Sequence, residues 1–369
     1  MNSGPRTSGE LYTFDGVIGN EAILRLLEKG LRTDSSSHAY LFHGPAGVGK
    51  RTVARRFGAT LVSGGDSDAE RRANRGMHPD LVEVEPEGAF TTIGQVRDVL
   101  RQVASRPFEG ACRVFVLEAD TLNVQAANAL LKSLEEPEGE AIFILLAASL
   151  ESVLPTVASR TRVMRFNPVP VEEVALFLED RGFSKEEARL AASLGRGSVG
   201  LALRYAGEEE LAGLREEVFG AAFAYAEDYE ERHQAAARIL ARAEAVGAAR
   251  ETAYLERFEE PDRRAREGAK RAGRASRDAA VREALELLAL VYRDAAVVEA
   301  GAVELVANLD RVEGIQAHVK RNSRADWAGA ALELEEARSG FAYNVSPEAS
   351  LEVTLSRVRQ RILMSSPVS

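Results

Sequence analysis

Residues Gly44 to Thr52 read GPAGVGKRT. Gly44 and Gly49 followed by Lys50 have the spacing of a phosphate-binding loop. In such a loop backbone N–H groups cradle the phosphates, the lysine reaches the β and γ oxygens, and an adjacent Ser or Thr hydroxyl ligates magnesium. Gly44, Gly47, Gly49 and Lys50 supply the cradle and the charge, but Arg51 stands where the hydroxyl belongs. Thr52 comes one residue late, on a different side of any helix that starts here. The companion acidic element is expected at the end of a later strand, where an aspartate holds the metal and a neighbouring glutamate orients water. The run "VFVLEADTL" has Leu117 in the aspartate's place, with Glu118 and Asp120 remaining beside it. On this reading two ligands of one metal ion are missing together, and hydrolysis is expected to be lost with them.

Stepping from strand to helix is what such a loop requires, and the flanking sequence provides it. Short apolar runs at 38–44, 81–85, 113–118, 142–148 and 162–166 alternate with helical patterns, which predicts an α/β class with a five-stranded parallel sheet. Val53, Phe57 and Leu61 recur at i, i+4 and i+8 directly after the first run and predict the helix that carries the lysine. Beyond Phe166 the strand pattern stops. The organisation expected is a flexible segment 1–12, a P-loop domain 13–166, a small helical lid 167–208 and an all-helical domain 209–369.

The bulk composition narrows the function. With 47 Lys and Arg against 57 Asp and Glu the net charge is −10, so a free-standing DNA binder is not the first expectation. The basic run "RRAREGAKRAGRASR" (263–277) is expected on an exposed helix or a mobile link, as a solvated face rather than a nucleic-acid contact. Cys112 is the single cysteine, which excludes internal disulfides and cysteine zinc clusters and fits a reducing cytoplasm. No run approaches 18 apolar residues and residues 1–12 lack a signal-peptide core, so a cytoplasmic protein with no membrane partner is expected.

Four stretches, "HAYLFHGPAGVGKRT", "HPDLVEVEPEG", "VFVLEADTLNVQAANALLKSLEEPEGEAIFILLA" and "LPTVASRTR", together resemble the AAA+ clamp-loader subunits of bacterial DNA polymerase III. The resemblance is strong over about 13–205. It weakens through 285–310 and 334–355, which look like the family's helical collar, used for oligomerisation. It implies an AAA+ P-loop domain, a lid and a collar. By the same resemblance Arg160, with Ser159 before it, matches the arginine that this family projects into a neighbour's ATP site, although Thr161 replaces the family's cysteine. Gly200, in "RGSVGLAL", falls where active relatives carry a lid arginine; Arg196 or Arg204 could stand in only with a shifted helix. The relatives' four-cysteine zinc module is replaced by "VSGGDSDAERRANRGMH", so no zinc is expected, and a polar loop or short helix takes its place. Glu135 and Glu136, at the end of "LLKSLEEP", read either as a solvated helix end or as part of the face turned to the neighbouring subunit.

The expectation is therefore a non-hydrolysing subunit that offers Arg160 in trans and helps load a sliding clamp onto primed DNA. The degenerate nucleotide site comprises Gly44, Gly47, Gly49, Lys50, Arg51, Thr52, Glu118 and Asp120. ATP binding without hydrolysis stays open, because Lys50 and the amides do not need the missing metal ligands. The implied partners are tau/gamma ATPase subunits, a delta subunit, the sliding clamp through weak or indirect contact, and primed DNA within the complex. Two alternatives stand beside it: an active clamp-loader ATPase, and a stand-alone DNA-binding module using the 263–277 run.

Overall fold

A computed structural model describes residues 12–33, 37–86, 90–136, 139–224, 229–256, 258, 260, 262–340 and 347–363. It divides into two compact units, one through Ala202 and one from Leu203. Most of the segment 1–12 lies outside the described residues; Tyr12 opens a 3-10 turn, Tyr12–Phe14.

In the first unit, α1 (Glu21–Thr33) precedes β1 (Ala39–His43), and the phosphate loop leads into α2 (Lys50–Ser63). The remaining elements are α3 (Ser67–Asn74), β2 (Leu81–Val84), α4 (Ile93–Val103), β3 (Arg113–Glu118), α5 (Val124–Glu135), β4 (Ala141–Ala147), α6 (Pro155–Ala158) and β5 (Arg162–Arg165), then α7 (Val171–Glu179), α8 (Lys185–Gly195) and α9 (Val199–Gly207), which runs on past the division. The five strands are parallel in the order β2-β3-β4-β1-β5, so the class is α/β, with the loop strand between β4 and the edge strand β5.

Strand periodicity sorts the core into two layers. Tyr40, Phe42, Val114, Val116, Ile144 and Leu146 pack with Leu24, Leu27, Val53 and Phe57 of α1 and α2. Leu41, Phe115, Leu117, Phe143 and Leu145 pack with Val96, Val99, Leu130 and Leu134 of α4 and α5 on the other face. Both faces are covered, which is why these strands read as continuous apolar runs. β5 is different: Arg162, Val163 and Arg165 are exposed and only Met164 is buried.

The segment that lacks the cysteines is α3, capped by Asp66, whose carboxylate accepts from the Asp68 and Ala69 backbone N–H groups. Among the described residues no group of three or more His, Cys, Asp or Glu is placed to hold a metal ion, and no helix is long and apolar enough to cross a membrane.

The second unit is helical: α10 (Glu209–Ala224), α11 (Tyr229–Leu255), α12 (Arg263–Glu299), α13 (Val312–Arg321), α14 (Trp327–Gly340) and α15 (Pro347–Leu363). Its core holds Leu214, Val218, Ile239, Leu285, Leu288 and Trp327, with Tyr292 stacked on Trp327 at 6.3 Å between centroids. The basic run 263–277 forms the first turns of α12. Ala265, Ala269 and Gly273 are buried there, while Arg263, Arg266, Lys270, Arg271 and Arg274 are exposed. The exposed-helix expectation holds for it, and the mobile link does not.

Candidate functional site

The phosphate loop leaves β1 at Gly44, whose φ of +147° and tight surroundings exclude a side chain: a Cβ would lie 2.1 Å from the Phe166 carbonyl oxygen. α2 starts behind Gly49 with no side-chain cap and no acidic residue in its first turn. Its first amides thus suit a phosphate, by hydrogen bonding and by the helix dipole. Lys50 is folded onto its own loop, Nζ donating to the Gly44 carbonyl at 2.5 Å and to that of Pro45 at 2.7 Å. Burial pushes its pKa down, and the nearby Glu118 and Asp120 carboxylates partly oppose this.

Leu117 and Glu118 take opposite faces of β3. Leu117 alternates to the sheet face covered by α4 and α5 and is 1% exposed there, so its side chain points away from the loop helix. Glu118, the last residue of β3, is the carboxylate turned toward α2, and Arg51 Nη2 donates to its Oε1 at 2.5 Å. In the run "VFVLEADTL" the carboxylate turned to the loop helix is therefore that of Glu118. The position after it is Ala119, which is buried. Asp120 is engaged elsewhere, its Oδ2 accepting the Ala148 N–H at 2.9 Å.

Arg51 lies between two carboxylates on this side of the loop helix. Its guanidinium sits on Glu118, and Arg51 Nη1 also approaches Glu83 Oε2 at 3.4 Å. Glu83 in turn takes Arg55 through Nε at 2.5 Å and Nη2 at 3.0 Å. Two arginines and two glutamates thus form a charge network. Thr52 is exposed and lines, with Arg51, Arg55, Arg56, Glu70, Asn74 and Thr13, a cavity of about 520 Å³ beside α2.

The lid segment meets the loop directly. The Gly200 N–H donates to the Gly47 carbonyl at 3.0 Å, and a Cβ on Gly47, at φ +73°, would lie 2.0 Å from Ser198 Oγ. A reciprocal pair, Asn20 Nδ2 to the Asn167 carbonyl and Asn167 N–H to Asn20 Oδ1, fixes the chain where it leaves the sheet. Gly200 thus faces the loop through its backbone and brings no side chain to it. Arg204 is committed to Glu208 at 3.1 Å and approaches Glu283 at 3.6 Å. Arg196 caps α8 in the left-handed conformation.

Arg160 follows α6, one residue before Thr161 and two before β5. Its Nη1 donates to the Thr156 carbonyl at 3.0 Å and approaches Ser159 Oγ at 3.5 Å, and its Nη2 pairs with Glu135 Oε1 at 2.5 Å. Ser159 caps α6 and donates to the Thr156 carbonyl, and Thr161 Oγ1 donates to that of Ala158. Arg160 therefore does not join Lys50, Arg51 and Glu118; it forms a separate cluster with Glu135, at the end of α5.

Sequence reasoning missed Glu83, although a charged residue inside a strand covered on both faces demands a partner, and arginines at 51 and 55 share one side of α2. It also missed Asp80, fully buried, which accepts backbone N–H groups from Phe108, Glu109 and Gly110 and the Arg113 guanidinium at 2.9 Å.

Residues 19–170 match the family described as DNA polymerase III, delta subunit. The delta-prime subunit of Pseudomonas aeruginosa is 39% identical over 175 residues, 43% of this chain and 53% of that protein. The delta-prime subunit of Bacillus subtilis is 24% identical over 338 residues, 89% of this chain and 93% of that protein. The tau subunit of Escherichia coli is 33% identical over 45% of this chain and 27% of its own length. The chain thus spans about half of the Pseudomonas relative and a quarter of the tau relative, but nearly all of the Bacillus one. Among solved structures, a gamma subunit-related protein of Thermotoga maritima has a TM-score of 0.43 at 18% identity, covering 91% of this chain and 99% of that one.

Proposed function

We propose that this relative of the delta-prime and tau/gamma subunits of DNA polymerase III is a stator of the clamp loader, a subunit that does not hydrolyse ATP itself. One observation carries this reading: the Arg51 guanidinium rests on Glu118, so the carboxylate that would hold magnesium already holds a cation. Ala119 in the following position and Gly200 on the lid support it, since neither can orient water nor stabilise charge on a phosphoryl group.

The chain contributes in trans through Arg160. A guanidinium placed against another subunit's nucleotide stabilises charge developing on the transferred phosphoryl group. Lys50 and the first amides of α2 are the groups that would hold phosphates of a nucleotide taken up without magnesium; binding of this kind orders the loop and leads to no turnover. The helical second unit is the part expected to join tau/gamma-type and delta subunits, since helix faces are where such assemblies bury apolar surface. The sliding clamp and primed DNA are met within that complex, in the cytoplasm, and the protein joins the nucleoid only through the replication machinery. The active-ATPase reading draws on a single observation, Glu118 turned to the loop, and Arg51 stands against it.

The test is clamp- and DNA-stimulated ATP turnover by the complex reconstituted with tau/gamma-type and delta subunits. Arg160→Ala should lower turnover by at least about a hundredfold, and Lys50→Ala should leave it unchanged. Loss of turnover with Lys50→Ala alone would mean that this chain's own loop does the chemistry.

A further inference from the structure

We infer that Glu135 is the positioning residue for Arg160, the group that fixes the direction in which the guanidinium is presented to a neighbouring nucleotide; the inference rests on the trans-arginine reading above. Glu135 is the last residue of α5, where the helix's negative end disfavours a carboxylate, and Glu136 adds a second acid beside it. The helix gains nothing from an acid there. Its observed partner is Arg160, at 2.5 Å from Oε1 to Nη2.

The geometry around the pair is that of a held side chain. Arg160 Nη1 is bonded to the Thr156 carbonyl, Nη2 to Glu135, and Nε is buried without a hydrogen-bond partner. A guanidinium carries five N–H groups in one plane. Anchoring each Nη to its own chain fixes that plane, and only a long 3.5 Å contact to Ser159 Oγ competes with an incoming oxyanion for the second Nη1 hydrogen. The arginine side chain is 30% exposed, and within it Nε is buried.

Both anchors sit on rigid supports. The Leu134 carbonyl, one residue before Glu135, meets His38 Nε2 at 2.7 Å, which ties the end of α5 to the start of β1, and Leu134 itself is fully buried. Thr156 lies in α6, which is seated by Val157, 1% exposed. A long arginine placed by two fixed acceptors loses little freedom when it engages a phosphate, and misplacement by an ångström is costly in such a step.

The experiment uses the reconstituted complex with Glu135→Ala, Glu135→Gln, Arg160→Ala and the Glu135→Ala/Arg160→Ala double variant, reading kcat and KM for ATP and assembly by gel filtration. Glu135→Ala should lower kcat about tenfold with KM and assembly unchanged. Glu135→Gln, which keeps an acceptor oxygen at the same place, should recover most of that loss. In the Arg160→Ala background Glu135→Ala should have no further effect, because the two act as one unit. A normal or raised kcat in Glu135→Ala, or an equal loss in both backgrounds, overturns the inference alone. Arg160→Ala without effect overturns the trans-arginine reading and this inference with it.

Discussion

Replacing Asp80 by asparagine tests the clasp that holds the loop between α4 and β3. Burial alone would raise the Asp80 pKa, but the Glu109, Phe108 and Gly110 N–H groups and the Arg113 guanidinium outweigh it and bring the carboxyl from its usual 3.8 down to about 2. At ~1.36 kcal/mol per pH unit this corresponds to ~2.5 kcal/mol of folding free energy at neutral pH. A depressed carboxylate contributes fully above its unfolded pKa and loses the contribution as pH falls toward its folded pKa. The stability difference between the native chain and Asp80→Asn should therefore be ~2.5 kcal/mol at pH 7, about half of that at pH 3, and nearly gone below pH 2. For a unit of about 200 residues this is a Tm lowered by roughly 5–10 °C at pH 7. Urea unfolding across pH 3 to 7 reads it. Equal stability of the two proteins at pH 7, or a difference that does not shrink toward pH 3, would refute the assignment of the clasp as ionised and paired.

The remaining predictions are shorter. Arg51→Thr removes the guanidinium from Glu118 and restores a hydroxyl, so magnesium should enhance binding of a fluorescent ATP analogue in the variant and leave binding to the native chain unchanged; equal magnesium dependence would refute the internal-cation argument. Cys112 is buried and its thiol is pushed up to about 12, chiefly by burial, so iodoacetamide at pH 8 should label it only after urea unfolding. Rapid labelling of the folded chain would contradict the burial.

Most strands were legible to within a residue or two, because a sheet covered on both faces forces continuous apolar runs such as "FILLA", and few other structures use them. The phosphate loop was legible for the same local reason: Gly44 and Gly49 are set by backbone geometry that the glycines themselves announce. The motif spacing that singled out Leu117 says nothing of faces along β3. Period two puts Leu117 with Phe115 in one layer and Glu118 with Val116 on the side of the loop helix. The long-range ion pairs were not legible, since Arg51 meets Glu118 across 67 residues and Asp80 meets Arg113 across 33. Nothing in either local stretch distinguishes these partners from the many other charges. Glu135 left a trace, an acid where a helix end prefers a base, but only the folded chain names Arg160 as its reason.

The edge strand β5 has a bearing on solubility. It has four residues, with an exposed arginine at each end and one buried side chain. A sheet whose border is short and doubly cationic repels a second copy of the same border, because edge-to-edge pairing would set guanidinium against guanidinium. Growth of the sheet into an extended β aggregate is therefore discouraged on that side by Arg162 and Arg165, residues that serve as gatekeepers whatever else the chain binds.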